Sequence, residues 1–183
     1  MIKQTKTSLF DIDKIINKFK AETEQKIADL GCGNFGYFVF PLAKKVGKNG
    51  TVYAVDILKD VLKEIKIKAR EENLLQIKPI WTDLEVYKAM KIESDSVDSA
   101  SLINVLSQSK NKSNIIKEAT RIIKRGGKLL LIDWKKEDSP LGPKNENKIN
   151  KDNVIDICLK NGLELEEEFV AGPYHYGLIL IKI

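Results

Sequence analysis

Apolar runs of strand length alternate with segments of helical period over most of the chain. The apolar runs are KIADL (26–30), GTVYAVDI (50–57), QIKPIWTD (76–83), VDSASLINVL (97–106) and GKLLLIDW (127–134). The segments of helical period between and after them are 37–47, 58–74, 111–127 and 150–162. This alternation predicts an α/β fold, in which a mostly parallel sheet is covered by helices on both faces.

The end of the chain follows a different pattern. Two further strand-like runs, LELEEEFVA and YHYGLILIKI, are separated only by a short stretch that contains Gly172 and Pro173. A loop this short cannot cross over between parallel strands, so we expect an antiparallel C-terminal hairpin. The segment 135–151 is rich in proline, glycine, asparagine and charge, and we expect a flexible loop there.

The length of 183 residues predicts a single domain, 1–183, in which 1–24 form an N-terminal helical extension. The sequence contains no apolar run of about 20 residues, which a membrane helix would need, and its N-terminus lacks the apolar region of a signal peptide. Cys32 and Cys158 have neither disulfide nor metal-site spacing, and His175 is the single histidine. We therefore expect no metal, no membrane span and a reducing, cytoplasmic compartment.

The net charge is +5, with 31 Lys and Arg against 26 Asp and Glu. Such a balance is compatible with a nucleic-acid or other anionic partner. However, lysine is scattered along the chain beside abundant asparagine and isoleucine, and the arginines are only Arg70, Arg121 and Arg125. This pattern favours a general compositional bias over a basic binding surface.

The loop after the first apolar run has three glycines, Gly31, Gly33 and Gly36, and an acid on either side of it. The second acid, Asp56, ends the next apolar run about 20 residues after the third glycine, as in dinucleotide-binding loops. In an open α/β sheet, ligands bind beyond the carboxyl ends of the strands, where glycine allows close approach of the backbone. The loop therefore predicts a cofactor that contains adenosine, with Asp56 accepting hydrogen bonds from two ribose hydroxyls.

Two cofactor classes fit such a loop. NAD is disfavoured because the chain has only one mononucleotide-sized half with a glycine loop and no catalytic domain after it. In the segment ADLGCG, in contrast, Asp29 lies one apolar residue before the first glycine. A carboxylate at this position can attract the cationic methionine end of S-adenosylmethionine.

At these residues the chain resembles the class I S-adenosylmethionine-dependent methyltransferases, and the resemblance covers nearly the whole sequence. ADLGCG resembles the first motif of that family, AVDI supplies its acid after strand two, and WTDL supplies its acid after strand three. RGGKLLLIDW resembles the fifth strand, and the antiparallel hairpin is a family trait. The resemblance implies a Rossmann-like sheet of seven strands and S-adenosylmethionine as cofactor, with S-adenosylhomocysteine as product.

The resemblance also implies a set of residues at the cofactor. They are Asp29, Gly31, Cys32, Gly33, Gly36, Asp56, Ile57, Asp83, Leu84 and Asn104. The loop departs from the family pattern G-x-G-x-G, because GCGNFG has an extra residue before its third glycine. We therefore expect a bulge in the loop and a less direct contact for Gly36.

The segment after the fourth run is expected beside the transferred methyl group. Families that methylate exocyclic amines of nucleic acids or glutamine have an N-P-P-Y-like motif there, whereas this chain has Asn104-Val105-Leu106. Asn104 and Asp133 are the candidate catalytic residues, although Asn104 also suits a simple turn. Trp134 is expected either to line a substrate pocket or to pack on the following loop. His175 is expected to be structural.

Among subfamilies, the motif order looks most like small-molecule methyltransferases of the ubiquinone/menaquinone-biosynthesis type. The chain has little sequence before its first strand, however, and no large insertion after the fifth to cover a substrate. The leading hypothesis is methyl transfer to a small or medium-sized acceptor. Two alternatives remain: a protein or RNA acceptor, suggested by the net charge and the missing cover, and a non-catalytic, cofactor-binding partner subunit.

Overall fold

Seven strands and five α-helices make up the regular structure of residues 9–183, the part of the chain that the computed structural model describes. The strands are β1 (Lys26–Leu30), β2 (Thr51–Asp56), β3 (Ile77–Trp81), β4 (Val97–Ile103), β5 (Ile123–Trp134), β6 (Leu163–Gly172) and β7 (His175–Lys182). The helices are α1 (Ile12–Phe19), α2 (Val39–Val46), α3 (Lys59–Glu71), α4 (Lys112–Ile122) and α5 (Lys151–Lys160).

All seven strands form one sheet in the order β3-β2-β1-β4-β5-β7-β6. The first five strands pair in parallel, and β7 pairs antiparallel with both β5 and β6. The fold class and the antiparallel C-terminal hairpin predicted from the sequence are therefore confirmed. The strand order reverses direction between β1 and β4, which places a topological switch point at their carboxyl ends.

Helices cover both faces of the sheet, as the alternating pattern predicts. Apolar side chains of α1, α2 and α3 form one core with residues such as Ile27 and Ile132. Side chains of α4 and α5 form a second core on the other face with residues such as Ala28 and Leu131. Successive residues of a strand point to opposite faces, so the buried strands read as continuous apolar runs.

The predicted helix over 111–127 is too long at its C-terminal end. Helix α4 ends at Ile122, and the next residue, Ile123, already pairs with Val97 in the sheet. The glycine pair does not end a helix but forms an irregularity within β5. Gly126 has a left-handed φ of +76°, and a Cβ atom at Gly127 would lie 2.5 Å from the carbonyl oxygen of Asp98.

Two regions outside the sheet, the N-terminal segment and the segment 135–151, also had sequence-based predictions. Within the predicted extension over 1–24, the structure has helix α1, while residues 1–8 lie outside the described residues. The segment 135–151, predicted to be a flexible loop, has a short 3-10 turn as its regular structure. Within it, the side-chain amine of buried Lys148 donates to the backbone carbonyl of Glu137 and to the hydroxyl of Ser139. Between residues 9 and 183, no helix has the length and apolar character needed to cross a membrane.

Candidate active site

A cavity of about 1080 Å³ opens at the switch point, beyond the carboxyl ends of β1, β2 and β4. The loop after β3 and the segment 9–13 at the start of α1 complete its wall. Of the predicted cofactor residues, those that line the cavity are Asp29, Gly31, Cys32, Gly33, Asp56, Ile57, Asp83, Leu84 and Asn104. The fold thus brings residues from four separate parts of the sequence to one site.

Asp29 is the buried acid at the base of this cavity. The residue is 3% exposed, and its Oδ1 accepts a hydrogen bond of 2.6 Å from the Ser101 hydroxyl of the neighbouring strand β4. Burial raises the pKa of Asp29 to about 6, the Ser101 hydrogen bond opposes the rise, and the negative charge of Asp56 adds to it. A cationic ligand group near Asp29 would favour its ionised form.

Asp56 connects the end of β2 to the glycine loop. One carboxylate oxygen accepts from the backbone N–H of Gly33 at 3.0 Å, and the other accepts from that of Leu58 at 2.9 Å. The Cys32 sulfur lies 4.0 Å from the same carboxylate, and burial raises the pKa of this thiol. These contacts fix the carboxylate at the cavity wall, and each oxygen retains capacity for a further donor.

Gly36 differs from the other two glycines of the loop because it does not belong to the cavity wall. A Cβ atom there would lie 2.5 Å from the Cδ1 atom of Ile65 and 2.9 Å from the Phe40 ring. Gly36 also has a φ of +55°. Packing of the loop against α2 and α3 therefore accounts for the glycine at this position.

Two polar side-chain atoms in the cavity wall are buried without a hydrogen-bond partner. They are Oγ1 of Thr82 and Oδ1 of Asn104. Asn104 has a left-handed φ of +58°, and its backbone carbonyl accepts a hydrogen bond of 2.6 Å from the side-chain amide of Gln108. Unsatisfied buried polar atoms are costly, and a non-glycine residue with positive φ is often part of a functional site.

Asp133, the other candidate catalytic residue, lies outside the cavity wall. It is fully buried and accepts hydrogen bonds from the backbone N–H groups of Ser107 and Trp134. Burial raises the pKa of Asp133, and these hydrogen bonds oppose that rise. Trp134 also lies away from the cavity, with Gly142 of the following loop packed on its ring. The packing alternative considered for Trp134 is therefore the one that the contacts support.

His175 begins β7 and pairs with Trp134, so it lies at the carboxyl edge of the sheet, where the sequence analysis did not place it. Its ring is fully buried between Phe10 and Trp134, with centroid distances of 4.6 and 4.0 Å. Both ring nitrogens lack a hydrogen-bond partner. The pKa of His175 is lowered to about 4, mainly by burial and in addition by the positive charges of Lys135 and Lys148.

The N-terminal part of the cavity wall was not predicted from the sequence. Leu9, Phe10, Asp11, Ile12 and Asp13 all line the cavity, so the chain before β1 covers part of the site that was expected to be open. The available signal was the segment LFDID, in which an aspartate precedes a short amphipathic helix. Asp11 is indeed the N-cap of α1, and its Oδ1 accepts from Lys14 N–H at 3.0 Å.

These features fit an adenosine cofactor with a cationic end. A Cβ atom at Gly33 would meet nothing within 4 Å, so the loop backbone faces open space that a ligand can approach. Two buried carboxylates and two unpartnered polar atoms offer acceptors for ribose hydroxyls, adenine edges and an ammonium group. The fold is a doubly wound α/β sheet, and the cavity at its switch point has the carboxylates and the glycine loop that suit S-adenosylmethionine.

Comparison with known proteins gives the family. The family model of the methyltransferase domain matches residues 21–168, and the chain belongs to this family. The ubiquinone/menaquinone biosynthesis C-methyltransferase of Bordetella parapertussis is 28% identical over 118 residues, which is 64% of this chain and 44% of that protein. Aklanonic acid methyltransferase from Streptomyces sp. is 32% identical over 72 residues, 39% of this chain and 32% of that protein. The chain therefore spans less than half the length of these two relatives.

The fold comparison agrees with this assignment. The crystal structure of a SAM-dependent methyltransferase from Aquifex aeolicus superimposes with a TM-score of 0.85 at 24% sequence identity. The match covers 96% of this chain and 91% of that one. The recognised family, the fold and the S-adenosylmethionine cofactor predicted from the sequence are thus confirmed.

Proposed function

We propose that this chain transfers a methyl group from S-adenosylmethionine to a small or medium-sized acceptor within the cavity at the switch point. The observation that carries the proposal is the convergence of Asp29, Asp56 and the open glycine loop at the ends of β1 and β2. When bound, the cofactor supplies a methyl group on a positively charged sulfur. A nucleophilic acceptor atom forms a bond to the methyl carbon, and the electron pair of the broken carbon–sulfur bond stays on sulfur. The protein must orient the acceptor and exclude water.

Each group of residues has a distinct part in this proposal. Asp56 accepts hydrogen bonds from the two ribose hydroxyls, and Asp29 attracts the ammonium group of the methionine end. The loop of Gly31, Cys32 and Gly33 lets the backbone approach the cofactor closely. Ile57, Leu84 and the acid Asp83 border the adenine; their position after β2 and β3 supports this assignment.

Asn104 is the residue that we place between cofactor and acceptor. It follows β4 directly, lines the cavity and has an unpartnered Oδ1 atom. Asp133 does not line the cavity, and we assign it a positioning role. By accepting from the N–H group of Ser107, it fixes the turn after β4, which includes the cavity residues Gln108 and Ser109.

The cover over part of the site favours a small acceptor over a macromolecule. Segment 9–13 covers part of the cavity. The cavity volume of about 1080 Å³ is just above the range of roughly 300–1,000 Å³ for sites of single small molecules, and this site must hold both the cofactor and the acceptor. The two relatives named above are called a ubiquinone/menaquinone biosynthesis C-methyltransferase and an aklanonic acid methyltransferase. These names support a small-molecule acceptor. A protein or RNA acceptor, or a partner-subunit role, has no comparable observation in its favour.

Calorimetry with S-adenosylhomocysteine tests the cofactor site through Asp56→Ala. Charge-assisted hydrogen bonds contribute about 1.5–3 kcal/mol each, and water recovers part of that, so we expect a loss of about 2–4 kcal/mol. The affinity should then fall by about 30- to 1000-fold. Asp60→Ala is the control, because Asp60 is an exposed acid on α3 outside the cavity wall.

The outcomes of this experiment separate the hypotheses. Unchanged affinity of Asp56→Ala, or no binding by the unmodified protein at millimolar cofactor, would overturn the proposed site. A transfer assay with labelled methyl groups and cell extract then identifies the acceptor fraction. Label in protein or RNA alone would exclude a small acceptor, and turnover by the isolated chain would exclude a purely non-catalytic role.

A further inference from the structure

The cavity has a negative wall in a positively charged protein. The chain has 31 Lys and Arg against 26 Asp and Glu. The acidic residues that line the cavity are Asp11, Asp13, Asp29, Asp56, Asp83 and Glu85. No lysine, arginine or histidine occurs among the described residues of that wall. A cleft lined by one sign of charge raises the local concentration of ligands with the opposite charge, so this site favours cations.

The cofactor and the protein itself use most of these carboxylates. Asp29 and Asp56 lie at the proposed cofactor site. Asp83 accepts from the N–H of Glu85 at 2.8 Å. Glu85 in turn accepts from the backbone N–H groups of Lys110 and Asn111 at 3.0 and 2.9 Å. These four acids therefore already have hydrogen-bond partners or a cofactor role.

Asp11 and Asp13 are not accounted for by the cofactor. They lie at the start of α1, in the N-terminal part of the wall, and both are exposed. Asp11 uses one carboxylate oxygen to cap the helix. The carboxylate of Asp13 has no hydrogen bond or ion pair to any residue in the range 9–183. Two exposed negative charges therefore lie in this part of the cavity wall, which we call the rim.

The unpartnered atoms inside the cavity indicate a ligand rich in hydrogen-bond donors. Thr82, which is 2% exposed, has an Oγ1 atom without a partner. Asn104 presents an amide oxygen, which is an acceptor only. The six carboxylates of the wall can only accept hydrogen bonds when ionised, whereas its hydroxyl and amide side chains can accept or donate. The lining therefore favours a ligand that donates hydrogen bonds.

The geometry points to an acceptor that binds as a cation, namely a small molecule with an amino group. Asp11 and Asp13 attract the protonated amine at the rim, and Asn104 Oδ1 accepts a hydrogen bond from a donor group of the bound acceptor. A carboxylate or phosphate in the same place would meet the like charges of Asp11 and Asp13. This inference rests on the proposed function, because it concerns the acceptor of the same reaction.

Pairs of probes that share a skeleton and end in either an ammonium or a carboxylate group test the inference. Tyramine and 3-(4-hydroxyphenyl)propionate form one pair, and tryptamine and indole-3-propionate form another. Each is titrated by calorimetry into the protein saturated with S-adenosylhomocysteine. We expect the amine of each pair to bind about tenfold tighter than the acid, or more, and the preference to weaken as salt is added.

A double variant removes the rim charges without removing the helix cap. In Asp11→Ser/Asp13→Asn, serine keeps an N-cap oxygen. Exposed charge pairs contribute about 0.2–1 kcal/mol each, so the loss of two should lower the affinity for the amine by about twofold to thirtyfold. The control Asp60→Asn/Asp138→Asn removes two exposed acids outside the cavity wall and should leave the affinity unchanged. Asn104→Gly, which suits the positive φ, should also weaken amine binding.

Three results would overturn the inference while leaving the proposed function intact. They are acids that bind as tightly as their amine partners, an equal loss in the rim and control variants, and no amine binding at millimolar concentration to protein that holds S-adenosylhomocysteine. Failure of the protein to bind S-adenosylhomocysteine at all would instead contradict the proposed function. Binding of this product is therefore measured first.

Discussion

Gly33 and Gly36 share a left-handed backbone but face different surroundings. Their φ angles are +65° and +55°, a region in which a side chain costs roughly 1–2 kcal/mol. At Gly33 an added methyl group would extend into open space beside the cavity, whereas at Gly36 it would collide with Ile65 and Phe40. One glycine therefore serves ligand approach, and the other serves packing between the loop and the helices.

Alanine at each position should separate these two roles. We expect Gly33→Ala to lower the free energy of unfolding by about 1–2 kcal/mol and to weaken S-adenosylhomocysteine binding. Gly36→Ala adds overpacking of about 1–3 kcal/mol to the same backbone strain, so it should destabilise the fold more than it affects ligand affinity. Urea unfolding and calorimetry on both variants provide the comparison. Normal stability of Gly36→Ala would contradict the packing assignment.

The sequence predicts the acids and glycines of the site at the residue scale, because each lies at a strand end within a motif of known spacing. It does not predict that Asn104 Oδ1 and Thr82 Oγ1 lack partners. Whether a buried polar atom is satisfied depends on neighbours from other strands, which the local sequence does not contain. For the same reason, the sequence does not show that Gly36 packs on Ile65 and Phe40. Nor does it show that Asp133 accepts from backbone N–H groups of the turn after β4 and of Trp134.

At the scale of elements, the boundary between α4 and β5 shows the limit of periodicity. Ile122 and Ile123 are both fully buried, one at the end of the helix and the other in the first pair of the strand. Two adjacent apolar residues suit a helix stripe and a buried strand equally well. Only the pairing of Ile123 with Val97 decides between them, and that contact is remote in sequence.

Helix α1 is the element that gives this site its cover, and its packing should control ligand release. Ile15, Ile16 and Phe19 bury the helix on the core that includes α2. Ile16→Ala deletes part of this contact, a change that costs about 2–5 kcal/mol in buried sites. We expect faster hydrogen exchange over residues 12–19 and faster dissociation of S-adenosylhomocysteine.

Val154→Ala is the matched control for this prediction, because Val154 is fully buried in α5 on the opposite face of the sheet. It should lower stability without a selective effect on exchange in α1. Equal ligand dissociation rates in Ile16→Ala and in the unmodified protein would mean that α1 is not part of the functional wall.

At the scale of the whole molecule, the alternation of strands and helices was sufficient to predict the sheet and its C-terminal hairpin. The cover over the site was not predictable in the same way. It depends on a short segment whose only local signal is a cap, and on the distant partners Phe38 and His175 that the ring of Phe10 contacts. The parts of the fold set by local pattern were therefore predictable, and the parts set by contacts between distant segments were not.

Two buried groups in separate parts of the molecule give its stability opposite responses to pH. The pKa of Asp29 is raised from 3.8 to about 6, so between these values the folded state binds more protons and stability falls as pH rises. The pKa of His175 is lowered from 6.5 to about 4, so the unfolded state binds more protons and stability rises with pH. Each difference corresponds to about 3 kcal/mol, and the two effects offset each other in the unmodified protein.

Single substitutions should reveal each response separately. Relative to the unmodified protein, Asp29→Asn should gain stability as pH rises from about 4 to about 6, because it removes the carboxylate whose ionisation is disfavoured. His175→Phe should have its largest advantage near pH 4 and lose it towards pH 6.5, because it removes a ring that must remain neutral while buried between Phe10 and Trp134. Urea unfolding across this range measures both differences, and contributions from other groups such as Asp133 cancel between variants. Parallel pH profiles for all three proteins would show that neither burial perturbs its group as described.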